Sequence, residues 1–286
     1  MEVDLFGNEI VKDVLLRDKF MEPPFSILDT KSGNWQNRKR QWINRGLRSE
    51  VGRDVQYKYG FDKKIMDDKR LDIERVSIFD PALTEVLYHW FCDNQGEILD
   101  PFAGGSVRGI VANYLGYKYT GIDIRQEQVD SNREQALDIL PIEKQPQWYV
   151  GDSNEVLNGF DKQFDFVFSC PPYADLEVYS DLPGDISNKP YKQFLELYES
   201  IIEKSCKLLK TGCYACFVVG EIRDKAGYLV GFIPDTIRAF EKCGMKFYNE
   251  AILLNPVASA GLRASGNMKT EKLVKIHQNV LVFKKP

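Results

Sequence analysis

Leu99-Asp100-Pro101-Phe102-Ala103-Gly104-Gly105-Ser106 is the stretch on which the fold turns. Glu97 to Asp100 reads as a short strand and Val107 to about Leu115 as a helix, so the glycines fall in the turn between them. Strand ends of an open α/β sheet bind nucleotide-like ligands, because glycines let a ligand approach the backbone and the next helix presents free N–H groups. Neither Gly-x-x-x-x-Gly-Lys-Ser/Thr nor Gly-x-Gly-x-x-Gly occurs here, so this is not a phosphate loop. The carboxylate of Asp100 would repel pyrophosphate but suits a ligand carrying an ammonium or sulfonium.

Outward from that turn, short β-branched runs alternate with amphipathic stretches from Arg75 onward, the pattern of βα units on a parallel sheet. Pro81 to Phe91 is a helix with Asp80 as its cap. Further strands are expected at Tyr117 to Ile124, Trp148 to Val150, Phe164 to Ser169 and Cys213 to Val219. Helices are expected at Gln126 to Leu140, Tyr191 to Leu209 and Ile233 to Cys243. Phe247 to Leu254 and Lys275 to Phe283 should close an antiparallel hairpin at one sheet edge across a helix-free loop, giving seven strands. Residues 1–70 show no clean period and read as an extension, with the α/β domain over residues 71–286.

Asp123, at the end of the second strand, stands where an acid accepts hydrogen bonds from two ribose hydroxyls, and Asp152, at the end of the third, can accept from an adenine amino group. Ile124 and Ser153 follow them and count as pocket residues with them. Three acids at three successive strand ends fit an adenosyl ligand with a cationic amino-acid tail, namely S-adenosylmethionine.

At the end of the fourth strand stands Cys170-Pro171-Pro172-Tyr173. The prolines fix a stiff extended turn without N–H groups, leaving carbonyl oxygens to accept from an exocyclic amine, and Tyr173 offers a stacking face. Over residues 75–286 the chain resembles the S-adenosylmethionine-dependent amino-methyltransferases of DNA, which act on N6 of adenine or N4 of cytosine. Asp100-Pro101-Phe102-Ala103-Gly104-Gly105 resembles their cofactor motif, and Cys170-Pro171-Pro172-Tyr173 their catalytic Asp/Asn/Ser-Pro-Pro-aromatic tetrapeptide. Val76 to Phe91 resembles the segment that closes over the methionine tail, with Ser77, Phe79 and Pro81 at the contact positions. The resemblance implies a Rossmann-like methyltransferase sheet with helices on both faces, S-adenosylmethionine as cofactor, no metal, and double-stranded DNA with a base flipped into the pocket.

Cys170 departs from that pattern, since a thiol is a weak acceptor and Ser169 lies on the opposite side of the strand. A thiolate adding to a pyrimidine ring would instead serve C5 methylation. Methylation of RNA, free nucleotide or protein, and an inactive nucleic-acid-binding protein, stay open as alternatives.

No large recognition domain follows the catalytic half, which turns attention to the N-terminal segment. The net charge is −4, yet the stretch from Lys31 to Gly60 holds eight bases against two acids, a local net of +6. Trp35, Trp42 and Tyr57 interleave with Arg38, Lys39, Arg40, Arg45, Arg48 and Arg53, a mixture expected of a surface that contacts phosphates and stacks bases. Arg263, in the loop Pro256 to Leu273, is a second candidate contact. Six sparse cysteines, an acidic N-terminus and no long apolar run predict a soluble cytoplasmic protein; the oligomeric state is left open.

Overall fold

The computed structural model describes residues 19–48, 79–92, 95–173, 182, 184–255 and 260–286. Its strands are β1 (Ile27–Asp29), β2 (Glu97–Asp100), β3 (Lys118–Asp123), β4 (Gln147–Val150), β5 (Phe164–Ser169), β6 (Leu209–Val219), β7 (Lys246–Leu254) and β8 (His277–Lys284). Its helices are α1 (Gly33–Asn44), α2 (Pro81–Phe91), α3 (Val107–Tyr114), α4 (Gln126–Ile139), α5 (Ser153–Val156), α6 (Tyr191–Leu208), α7 (Phe232–Lys242) and α8 (Ala260–Met268).

All eight strands form one sheet in the order β1-β7-β8-β6-β5-β2-β3-β4. Among the described strands only β8 runs against its neighbours, pairing antiparallel with β6 and β7. The period-2 alternation of buried strands sorts the core into two layers. Phe166, Phe168, Cys216, Val218, Val280 and Val282 point to the face covered by α2, α3 and α4. Val167, Phe217, Val219, Leu281 and Phe283 point to the face covered by α6 and α7. Each such side chain contributes about 1.5–3 kcal/mol by leaving water, so the two-sided burial fixes the sheet's register.

Three differences from the sequence reading have local causes. The sheet has eight strands instead of seven, because Ile27 to Asp29 pairs in parallel with Ile252 to Leu254 and covers the edge expected for the C-terminal hairpin. The chain passes from α6 directly into β6 at Leu209, so Lys210-Thr211-Gly212 lies within the strand and not at a helix end. The loop between β7 and β8 holds a helix, α8. The boundary placed at residue 70 lies outside the described residues, but β1 and α1 belong to the same body as the sheet, since α1 buries Trp35 and Trp42 against α2. No described helix is long and apolar enough to cross a membrane.

Candidate functional site

Four parallel strands, β5, β2, β3 and β4, end on one side of the sheet, and the loops leaving them line one cleft. Asp100 ends β2 but is fully buried. Its Oδ1 accepts from Ser169 Oγ at 2.6 Å and from the Phe102 N–H at 3.2 Å. Its Oδ2 accepts from Arg108 Nε at 2.5 Å and from the Tyr119 hydroxyl at 2.7 Å. Burial opposes the Arg108 charge, but the adjacent Asp100, with Tyr119 and Cys170, outweighs it and holds the guanidinium above its ordinary value. Burial, then the Asp100 charge, push the Tyr119 hydroxyl well up. The expectation that Asp100 itself faces a cationic ligand is therefore corrected: its oxygens lock the turn to β3, β5 and α3.

Arg108 is the residue that sequence reading missed. Its Nη2 donates to the carbonyls of Phe102 at 2.7 Å and Ala103 at 2.8 Å, which uses both of that nitrogen's protons. Among the described residues Nη1 has no hydrogen-bond partner, and Arg108 lines the cleft with its guanidinium 4.4 Å from the Phe79 ring centroid. The signal was an arginine eight residues after Asp100 on an otherwise apolar helix, where a buried cation requires an anion.

Gly104 holds φ +52° at the cleft wall, a conformation that a side chain strains. Gly121 serves close approach: a Cβ there would stand 2.8 Å from the Tyr119 hydroxyl and 2.9 Å from Ala103, obstructing the Tyr119 to Asp100 bond. Asp123 lines the cleft, accepts from the Arg125 N–H at 2.9 Å and lies 3.8 Å from Arg125 Nε. Asp152 also lines it, and its Oδ1 caps α5 by accepting from the Asn154 N–H at 2.8 Å. Ser153 ties the loop inward through its hydroxyl to the Pro101 carbonyl at 2.6 Å. Gly184, Asp185 and Ile186 complete this side, with Asp185 held against Ser187.

Opposite stands the proline corner. Cys170, Pro171, Pro172 and Tyr173 all line the same cleft. Tyr173 is set edge-on to Phe232, ring centroids 6.0 Å apart, and its hydroxyl accepts from Gln278 Nε2 at 2.9 Å. Ser169 is turned toward Asp100 and takes no place beside Cys170.

Of the expected pocket residues, Phe79, Phe102, Gly104, Asp123, Ile124, Asp152 and Ser153 converge on the cleft with the tetrapeptide. Pro81, Ala103 and Gly105 are buried behind it, and Ser77 lies outside the described residues. The basic N-terminal segment is corrected further. Trp35 and Trp42 are 1% and 4% exposed and offer no face to a base. Their ring N–H groups donate to Asp80 and Glu85, both at 3.1 Å, and Arg38 pairs with Glu85 at 3.1 Å. Arg45 stacks on Trp42 and Tyr114. Lys39 is half-buried, and Arg40, Arg48 and Arg263 are exposed. Arg53 and Tyr57 lie outside the described residues.

No protein-family model matches the chain. The tRNA (guanine(10)-N2)-dimethyltransferase of Pyrococcus abyssi is 34% identical to it over 108 residues, 37% of this chain and 31% of that protein. The chain thus matches about a third of that relative's length. The crystal structure of TrmN from Thermus thermophilus shares the fold, with a TM-score of 0.50 at 14% identity over 75% of this chain and 51% of that one. Magnesium protoporphyrin IX methyltransferase of Synechocystis PCC 6803 with bound SAM matches at a TM-score of 0.45 and 12% identity, covering 88% of this chain and 96% of that one. The fold is that of the S-adenosylmethionine-dependent methyltransferases, Rossmann-like and mostly parallel with helices on both faces.

Proposed function

We propose that the protein transfers the methyl group of S-adenosylmethionine to an exocyclic amino group of a base in RNA. The observation that carries this reading is that the Cys170 to Tyr173 corner and the carboxylates of Asp123 and Asp152 line one cleft. RNA is the substrate class supported by the curated relative, which is named for a guanine amino group of tRNA.

The residues present fit the cofactor. Arg108, with Nη1 unused by the described chain and its body at the cleft, suits the carboxylate of the methionine tail. Asp123 would take the ribose hydroxyls and Asp152 the adenine amine, while Gly104 and Phe79 wall the tail. Bound there, the cofactor supplies a methyl group activated by a sulfonium. The chain's own part is positioning: the Pro171 carbonyl accepts from the target amine, Tyr173 stacks on the ring, and the apolar walls exclude water. Cys170, a weak acceptor, shapes the corner without acting as a base.

Duplex DNA is the second reading, favoured by the likeness of Asp100 to Gly105 and Cys170 to Tyr173 to the DNA amino-methyltransferases. Incubation with methyl-labelled S-adenosylmethionine and, separately, bulk tRNA and duplex DNA tests the choice. Label in tRNA is expected. Label in DNA alone would transfer the proposal to the second reading, and label in neither would remove nucleic acid as the substrate.

A further inference from the structure

Lys275 precedes β8, at the end of the sheet where β5 and β6 finish, because Asn279 of β8 pairs with Val219 of β6. Its Nζ is buried, and among the described residues it has no hydrogen-bond partner. An amine out of water without an acceptor is costly, so such an atom calls for a partner that arrives later. Burial is the larger influence on this amine and lowers its pKa, against the opposing charge of Glu221. Glu221 does not pair with it: its Oε1 accepts instead from the N–H groups of Ile222, Gly231 and Phe232, each at 3.0 Å, holding the start of α7.

Lys275 stands beside the proposed catalytic corner. Gly220, which follows β6, has no side chain, and a Cβ built there would stand 3.3 Å from both Lys275 Nζ and the Tyr173 hydroxyl. The amine and the phenol thus flank one bare glycine. The Tyr173 hydroxyl is also bonded to Gln278, which lies three residues past Lys275. The cleft for the cofactor lies over β2, β3 and β4, and Lys275, Gly220 and Gln278 lie on the other side of Tyr173, over β6 and β8. That is the side from which a methyl acceptor must approach.

We propose that Lys275 Nζ is a substrate contact, donating a hydrogen bond to an oxygen of the target nucleotide, either a base carbonyl or a phosphate, as the base comes to rest against Tyr173. The inference rests on the nucleotide-methylating reading of the cleft. It explains why an amine is kept unpaired inside the fold and why the position between it and Tyr173 is a glycine: a methyl group there would crowd the entering nucleotide.

Lys275→Met and Lys275→Arg, each saturated with S-adenosylhomocysteine, should be titrated by calorimetry with guanosine, cytidine and their 5′-monophosphates. For Lys275→Met the proposal expects an affinity loss of about tenfold, the scale of one charge-assisted hydrogen bond. Loss with the nucleosides as well identifies the base carbonyl as the partner; loss with the monophosphates alone identifies the phosphate. Lys275→Arg should recover part of the loss. Affinity for S-adenosylhomocysteine should stay at the parental value, and the melting temperature of Lys275→Met should be equal or higher, because an unpaired buried amine has been removed. A purely structural lysine would give the reverse, a lowered melting temperature with unchanged nucleotide affinity, and that result overturns the proposal. Should the parent protein bind none of the four probes while binding S-adenosylhomocysteine, the nucleotide reading itself fails and the proposal with it.

Discussion

Asp100 carries four hydrogen bonds with none of its surface exposed, and the effect of changing it is set by what is left behind. Asp100→Asn removes the anion but leaves the buried Arg108 cation without compensation. The expected outcome is a loss of about 3–5 kcal/mol in denaturant unfolding. Tyr119→Phe removes one bond to the same charge and should cost about 1.5–3 kcal/mol; a melting curve unchanged in this variant would show that the hydroxyl does not support the network. Asp123 behaves differently because it is at the cleft wall. Asp123→Ala should leave folding nearly intact while weakening S-adenosylmethionine binding by roughly 1–3 kcal/mol, and calorimetry giving the parental affinity would take Asp123 out of the site. At this scale the sequence was readable for residue type and misleading for role. Asp100 stands where a ligand-facing acid was expected, yet the partners that withdraw it, Arg108, Tyr119 and Ser169, come from three separate elements. Only their convergence in space reveals the network.

The elements that follow strong local rules came out where the sequence placed them. Pro81–Phe91 has its cap, its proline at the first position and a buried face, and forms the expected helix. Phe164–Ser169 is a strand buried almost throughout. Ile27–Asp29 escaped notice because three residues are too few for any period, and its place comes from pairing with Ile252 to Leu254, more than two hundred positions away. The helix Gly33–Asn44 misled in another way. Basic and aromatic residues at helical spacing suggest a nucleic-acid face, but the tryptophans turn inward and Arg38, between them, is drawn to Glu85. A helix that packs by its aromatics should respond to their loss through stability. Trp42→Ala should therefore cost about 3–5 kcal/mol in unfolding free energy, whereas Arg40→Glu on the exposed face should change it by under about 0.5 kcal/mol. Comparable losses in both variants would contradict the packing described for this helix.

Across the whole molecule, the candidate site sits on one side of the sheet because parallel strands deliver their C-terminal loops to the same place. Among the described residues, α2, α3 and α4 pack on one face, α6 and α7 on the other, and β1 pairs at the edge beside β7, while the cleft lies at the strand ends. The cleft could be read from sequence through its glycines, acids and prolines, each at a strand end. The substrate side could not, because Gly220, Lys275 and Gln278 carry no motif and meet only through the antiparallel course of β8. The proposed function of this cleft is the transfer of a methyl group from S-adenosylmethionine to a base amine at the Cys170 to Tyr173 corner. Its most direct test is to run the reaction with trideuteromethyl S-adenosylmethionine on tRNA, digest the product to nucleosides and locate the label by mass spectrometry. The label is expected on an exocyclic nitrogen, with Cys170→Ser still active; label on pyrimidine C5, lost entirely in Cys170→Ser, would contradict the proposed function.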